Sequence, residues 1–249
     1  MPGRERYAVV SCHVERPLDD RVWARFAELQ ERRPGGFAVA ALMRVPDPAH
    51  GEDDAVWLER AREAAARGPL GHHTHWTAPY HARPTDGEPA ERVLGEGRRL
   101  RQLGLAPTLF CGGGWYSDLA VAEACAELGY VDCTATAYRP GYLAPGAARL
   151  VLAAPARVRL PSGRLLLEIP STHSLGMLAR EVVMPAGLRA QVVHVHFHDT
   201  DLIDARRSAA LRWGLRLLGR RRTVSDLDRI IRQLADTAPE VAFEQVAAG

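Results

Sequence analysis

The chain has 249 residues, 47% of them hydrophobic, and a formal net charge of +2. That is apolar material enough for one sizeable core, which reads as a single domain over residues 1–249. The near-neutral balance excludes an electrostatic footprint for nucleic acid or a membrane surface.

No run approaches the roughly 18 apolar residues of a membrane span, and the opening MPGRERYAVVSC does not read as a signal peptide. Four cysteines, at 12, 111, 125 and 133, form no paired-spacing motif, so the expectation is a reduced, cytoplasmic protein. Every Lys/Arg position is Arg, and the run Arg220–Arg222 reads as a solvated helix junction.

In chain order, residues 7–12 (YAVVSC) are predicted to be a buried strand. A helix near 20–33 follows, with Val22, Phe26 and Leu29 on one stripe and Asp19 as its cap. Residues 37–43 form the next strand, and residues 53–67 a helix that opens on Asp53 and Asp54 and stops at Gly68–Pro69. A weaker strand leads into GHHTHWTAPYH at 71–81, then a Pro/Gly-rich loop at 77–90 and a helix from about 89 to 103. Residues 107–111 are a strand, and Ser117 is placed to cap a helix ending at Gly129, with Cys125 on its core face. Strands at 130–135, 164–169 and 190–197 and helices near 201–218 and 224–236 complete the pattern. This alternation predicts a mostly parallel α/β sheet or barrel.

In parallel barrels chemistry gathers where strands end and loops begin. His13 follows the first strand, the 72–81 cluster the third and His198 the last, so three distant groups of imidazoles are expected on one rim. His73 and His75 are two residues apart and share a face if the backbone is extended, which makes half of a divalent metal site. A carboxylate near the first strand completes it. Glu15, Asp19 and Asp20 are the candidates for that position, with Asp20 assigned to the metal and Glu15 to the catalytic set while the choice between them stays open.

In VVHVHFHD the period of two puts His194, His196 and His198 on one face. The first two read as barrel-lining residues. His198, at the strand end with Asp199 beside it, is placed for proton transfer. In CGGGWYSD, Gly113 and Gly114 let backbone N–H groups approach a bound group or simply shape a loop, at a spacing that fits no nucleotide motif. Trp76 and Trp115 are candidates to stack on a sugar ring.

With these positions in view the chain resembles the polysaccharide deacetylases, the NodB-homology carbohydrate esterases. Its best local matches are GHHTHW, with His73–Thr74 in the His-Ser/Thr position, FHD at 197–199, LEIPSTHSLG at 167–176 and Gly129–Tyr130 entering a strand. The resemblance implies a distorted (β/α)7 barrel and a metal held by an acidic residue after strand one and two histidines after strand three. It also implies an acidic base and a histidine acid. His73 and His198 carry over directly. The chain departs from the pattern at three places: Cys12-His13-Val14-Glu15 replaces Asp-Asp, Thr77 stands where the second metal histidine would be, and Cys111–Trp115 replaces the Arg-Pro-Pro-Tyr-Gly motif.

The implied activity is removal of an N-acyl group, acetyl above all, from an amino sugar, glycan precursor or small acetylated metabolite. A divalent ion would assist, zinc first, with cobalt or nickel as alternatives. His13, Glu15 or Asp20 would take the proton of water and His198 would protonate the leaving amine. Two other readings stay open: an amidohydrolase-type C–N hydrolase, and a metal-free barrel that binds a carbohydrate.

Overall fold

The computed structural model describes residues 6–85, 87–141, 146–183, 190–222 and 226–248. Its first half alternates strictly: β1 (Tyr7–Val14), α1 (Asp20–Arg32), β2 (Ala40–Arg44), α2 (Asp54–Arg67), β3 (Leu70–Thr74), α3 (Pro89–Gln102), β4 (Leu109–Gly112), α4 (Leu119–Glu127) and β5 (Val131–Asp132). Then come four short strands, β6 (Arg149–Leu150), β7 (Ala156–Arg159), β8 (Leu165–Glu168) and β9 (His173–Ser174), followed by α5 (Leu175–Val183). The chain ends with β10 (Val192–His198), α6 (Ala205–Gly219), α7 (Leu227–Thr237), β11 (Glu240–Ala242), α8 (Phe243–Val246) and β12 (Ala247–Ala248).

The main sheet runs β11-β7-β8-β5-β4-β3-β2-β1-β10-β9. Every neighbouring pair from β5 through β10 is parallel. Its two arms meet because β8 and β9 are halves of one extended run. The first half pairs with β5 through Asp132 and Glu168, and Ile169 N–H donates to Asp132 O at 2.9 Å. The second half pairs with β10, with His173 opposite Val195 and Thr172 N–H donating to His194 O at 3.0 Å. The strands β5, β4, β3, β2, β1 and β10 thus form one parallel sheet, with the run through β8 and β9 hydrogen-bonded to both of its ends. The hairpin partner β7 and its neighbour β11 splay off outside it.

Alternation along β1 sorts its side chains. Ala8, Val10, Cys12 and Val14 face the helical layer with Trp23, Phe26 and Leu29. Tyr7 and Val9 face the interior, where Leu109, Val131 and Val192 meet Leu227, Ile230 and Leu234 of α7. Aliphatic side chains therefore plug the end where the strands begin. At the other end the interior changes character: Ser11, His13, His73, His194 and His196 are all buried there.

Helices α1, α2, α4, α6 and α7 open on aspartate caps, each worth about 1 kcal/mol. Asp19 accepts from Arg21 N and Val22 N at 3.0 and 3.1 Å, and Asp53 caps α2 in the same way. α4 is capped by Asp118, which accepts from Val121 N at 2.8 Å, rather than by Ser117, which lies one residue too early. Arg220 and Arg221 are exposed as expected, but Arg222 is buried and donates to Ala190 O and Gln191 O, anchoring the start of β10. Residues 223–225, where the last helix was expected to begin, lie outside the described residues. Among the described residues no helix is long and apolar enough to cross a membrane.

Candidate metal centre and active site

Glu15, one residue beyond β1, projects its carboxylate among three imidazoles. Its Oε1 lies 4.0 Å from His73 Nε2, 3.6 Å from His75 Nε2 and 3.6 Å from His198 Nε2. The two histidines of the β3 rim are tethered through their other nitrogens. His73 Nδ1 sits 2.7 Å from Cys111 O and His75 Nδ1 2.6 Å from Pro79 O. A carbonyl only accepts, so in each ring Nδ1 carries the hydrogen and Nε2 presents a lone pair. Both Nε2 atoms are buried and find no hydrogen bond among the described residues. Orphaned lone pairs of this kind are costly unless something occupies the space before them.

Charge fits a cation too. Burial alone would raise Glu15, but His75 close by, then His198 and His73, outweigh it and hold the carboxyl down to about 2. Burial lowers His73 to about 3, with His75 adding to the effect. At neutral pH the set therefore has an ionised Glu15 facing a neutral His73. Ligands on a tetrahedral ion at 2.0–2.2 Å are about 3.4 Å apart, so the present spacings need only small adjustments to accept one.

The loop that carries Glu15 is fixed on both sides. Arg44 Nε donates to Glu15 O at 3.0 Å, while its guanidinium grips Glu52 at 2.7 and 2.5 Å. On the other side Arg16 N–H donates to Asp199 Oδ2 at 2.8 Å. Asp199 thus holds the loop after β1, in place of the role beside the His198 ring expected from its sequence position. Asp20 does not reach the site. It starts α1 with its side chain 93% exposed and pairs with Arg60 on the outer surface. The capping demands of α1 turn Asp19 and Asp20 away, and Glu15 is left as the carboxylate of the metal set.

His13 lies beneath, its ring 4.7 Å from that of His73 and 5.1 Å from that of His198. Burial, then the neighbouring imidazoles, hold it well below the usual histidine range, so it is uncharged at neutral pH. His194 and His196 line the interior as expected. His194 bonds Ser11 Oγ at 2.8 Å, and His196 packs edge-on against Trp115 at 4.7 Å.

The CGGGW loop is a packing device. A Cβ on Gly113 would stand 2.4 Å from Ala82 O and 2.6 Å from Thr74 O, so only glycine lets the loop lie against β3. Gly114 (φ 60) and Trp115 (φ 61) then adopt left-handed backbone. For a tryptophan this is strain of order 1–3 kcal/mol, and it swings the indole inward between His13 and His196. Gly112 N–H donates to Thr134 Oγ1 at 2.8 Å, and Thr134 donates to Asp132 at 2.5 Å, tying the loop to the outer face of β5. Trp76 is not on the rim. It is buried in the outer core and donates from Nε1 to Gly113 O at 2.9 Å, so the pair holds the loop, and neither lines the cavity over Glu15.

A cavity of about 380 Å³ opens over this centre, walled by His13, Glu15, His198, Gly114, Trp115 and Tyr80. A second, of about 370 Å³, lies across Trp115 and His198. Sequence reasoning missed Tyr80, whose ring is 75% exposed at the mouth and edge-on to His81 at 4.6 Å. The signal was an aromatic in a Pro/Gly-rich loop. Arg44 was missed as well, because a positioning arginine leaves no mark in a strand pattern.

Comparison with known proteins follows from this geometry. No family model matches the chain, and no curated protein does. Among solved structures, a Mycobacterium smegmatis protein assigned as a polysaccharide deacetylase superposes with a TM-score of 0.66 at 14% identity, over 94% of this chain and 92% of its own. The fold is that of the polysaccharide deacetylases. A 4-alpha-glucanotransferase from Thermococcus litoralis is similar too, with a TM-score of 0.60 at 13% identity over 95% of this chain. The chain spans 40% of the length of that enzyme.

Proposed function

We propose that this protein is a metal-dependent hydrolase that removes an N-acyl group, acetyl in the first instance, from an amino sugar, glycan precursor or small acetylated metabolite. The observation that carries the reading is the pair of buried, unsatisfied Nε2 atoms of His73 and His75 converging on an ionised Glu15. These three residues would hold a zinc ion, or cobalt or nickel. Such an ion supplies Lewis acidity and makes a bound water more acidic.

The chain's own residues do the rest. Arg44 and Asp199 hold the Glu15 loop so that the set is preorganised. His13, neutral and shielded from bulk solvent, accepts the proton of a water in the cavity. His198, with its side chain 38% exposed on the cavity wall, delivers a proton to the leaving nitrogen, since an amine does not leave as its anion. Trp115 and Tyr80 supply the apolar faces against which a sugar ring can lie. The four cysteines are unpaired and buried, which suits the reducing interior of a cell and supports a cytoplasmic location.

The test is metal analysis of purified protein together with turnover of N-acetylated amino sugars. Wild type is expected to carry one transition-metal ion per chain and to release acetate. His73→Ala should lose the ion and the activity while keeping its folding transition. Unchanged metal content in that variant overturns the assignment.

A further inference from the structure

Behind the Glu15 set lies a second group of metal-ligand atoms of different chemistry. His73 and Cys111 are direct register partners on adjacent strands, and both side chains point into the barrel. His13 reaches them from β1, and one donor atom from each of the three falls within 4.8 Å of the others. All three are buried, at 4%, 2% and 0% exposure for His13, His73 and Cys111. The outer set is one carboxylate and two imidazoles, whereas this inner one is a thiol and two imidazoles.

We propose that His13, His73 and Cys111 form an inner binding position for a thiophilic cation of the Cd²⁺, Zn²⁺ or Cu⁺ kind, distinct from the position at Glu15 and His75. Thiolate and imidazole favour such ions over hard, oxygen-seeking ones. Coordination breaks the Cys111 S–H bond, forms an S–metal bond and releases one proton to solvent. His73 belongs to both sets, so the two positions compete for it. An ion held through the thiolate leaves Glu15 and His75 with an incomplete set, and the inner position acts as a trap for soft metals. Cys133 lies one residue beyond the paired Phe110–Asp132 rung and faces the same interior, outside the three-ligand group. It serves as the control thiol.

The experiment uses the full chain, stripped of metal by a chelator, with four free thiols verified by titration, and adds Cd²⁺ alone. Wild type is expected to develop the ultraviolet thiolate-to-cadmium charge-transfer band with one-to-one stoichiometry. His75→Ala, which damages only the outer set, should keep the band, and so should Cys133→Ser. Cys111→Ser should lose it, and Cys111→Ala provides the same test if the serine variant does not fold. No band in the wild type, or a band that survives loss of the Cys111 thiol, overturns the proposal. A band that persists in His75→Ala while acetate release is absent from every protein keeps the inner position and removes only the hydrolase reading.

Discussion

Glu15 Oε1 lies 3.6 Å from His198 Nε2, the same distance that separates it from His75 Nε2. Their surroundings separate the two rings. His75 is 95% buried and locked onto Pro79 O, whereas the His198 side chain is 38% exposed on the cavity wall. A fixed ring suits a ligand, and a ring in contact with solvent suits a group that must be reprotonated each cycle. His198→Ala is therefore expected to retain the metal and to lose about 10²–10⁴ in kcat on an amide, the usual worth of a positioned general acid. An ester of the same acyl group, with its better leaving group, should lose much less. Loss of metal together with equal loss on both substrates would make His198 a ligand instead.

Tyr80 stands exposed at the mouth of the cavity, edge-on to the rings of His81 and His50. An aromatic contact is worth about 0.5–1.5 kcal/mol, so Tyr80→Ala should raise KM for an amino-sugar substrate about 2- to 10-fold. Neither kcat nor thermal stability should change. Steady-state kinetics decide it, and an unaltered KM removes Tyr80 from the substrate path.

Gly113→Ala would place a methyl carbon 2.4 and 2.6 Å from two backbone oxygens. Overpacking of this kind costs about 1–3 kcal/mol, and here it also displaces Trp115. The variant should melt earlier and show altered tryptophan fluorescence. Gly95→Ala is the control: a Cβ there meets nothing within 4 Å, and alanine in mid-helix adds about 0.5–1 kcal/mol of stability. Equal behaviour of the two variants would refute the packing role of the loop.

Asp132 and Glu168 face each other across β5 and β8, fully buried. Burial, and for Glu168 the neighbouring Asp132 charge, raises both carboxyls above their ordinary values of 3.8 and 4.5. The native pair therefore keeps a proton that the unfolded chain has already released. Its stabilising effect is complete below pH 3.8 and declines as pH rises from there toward the folded pKa values. Glu168→Gln removes this titration from the balance, so its Tm should fall less than that of the wild type as pH rises above the ordinary carboxylate range. Parallel Tm curves would show that the pair does not share a proton.

Helix stripes, caps and strand runs are local, and they were legible without coordinates. The runs at 7–12, 107–111 and 190–197 each hold a strand, with β4 and β10 starting two residues later than the runs that predict them, and Asp19 and Asp53 cap the helices they precede. The period of two in VVHVHFHD placed its three histidines on one face, because strand geometry fixes side-chain direction residue by residue. The convergence of His13, His73, His75 and His198 also followed from the sequence, since a parallel barrel brings strand ends to one rim.

Which carboxylate joins them did not follow. Glu15 and Asp20 both lie in the short stretch after β1, and the demands of the α1 cap and the grip of Arg44 and Asp199 turn one outward and the other inward. The two-sided pairing of the run through β8 and β9 was equally hidden, because it is defined by partners far away on β5 and β10. Trp76 and Trp115 make the same point: both sit in glycine- or histidine-rich rim loops, yet one is packed outward beneath the loop and the other is turned inward by a strained backbone. Composition and periodicity determine which elements form and which face is buried. Direction at the loops is decided by clashes and hydrogen bonds between residues distant in sequence, and those exist only once the chain has folded.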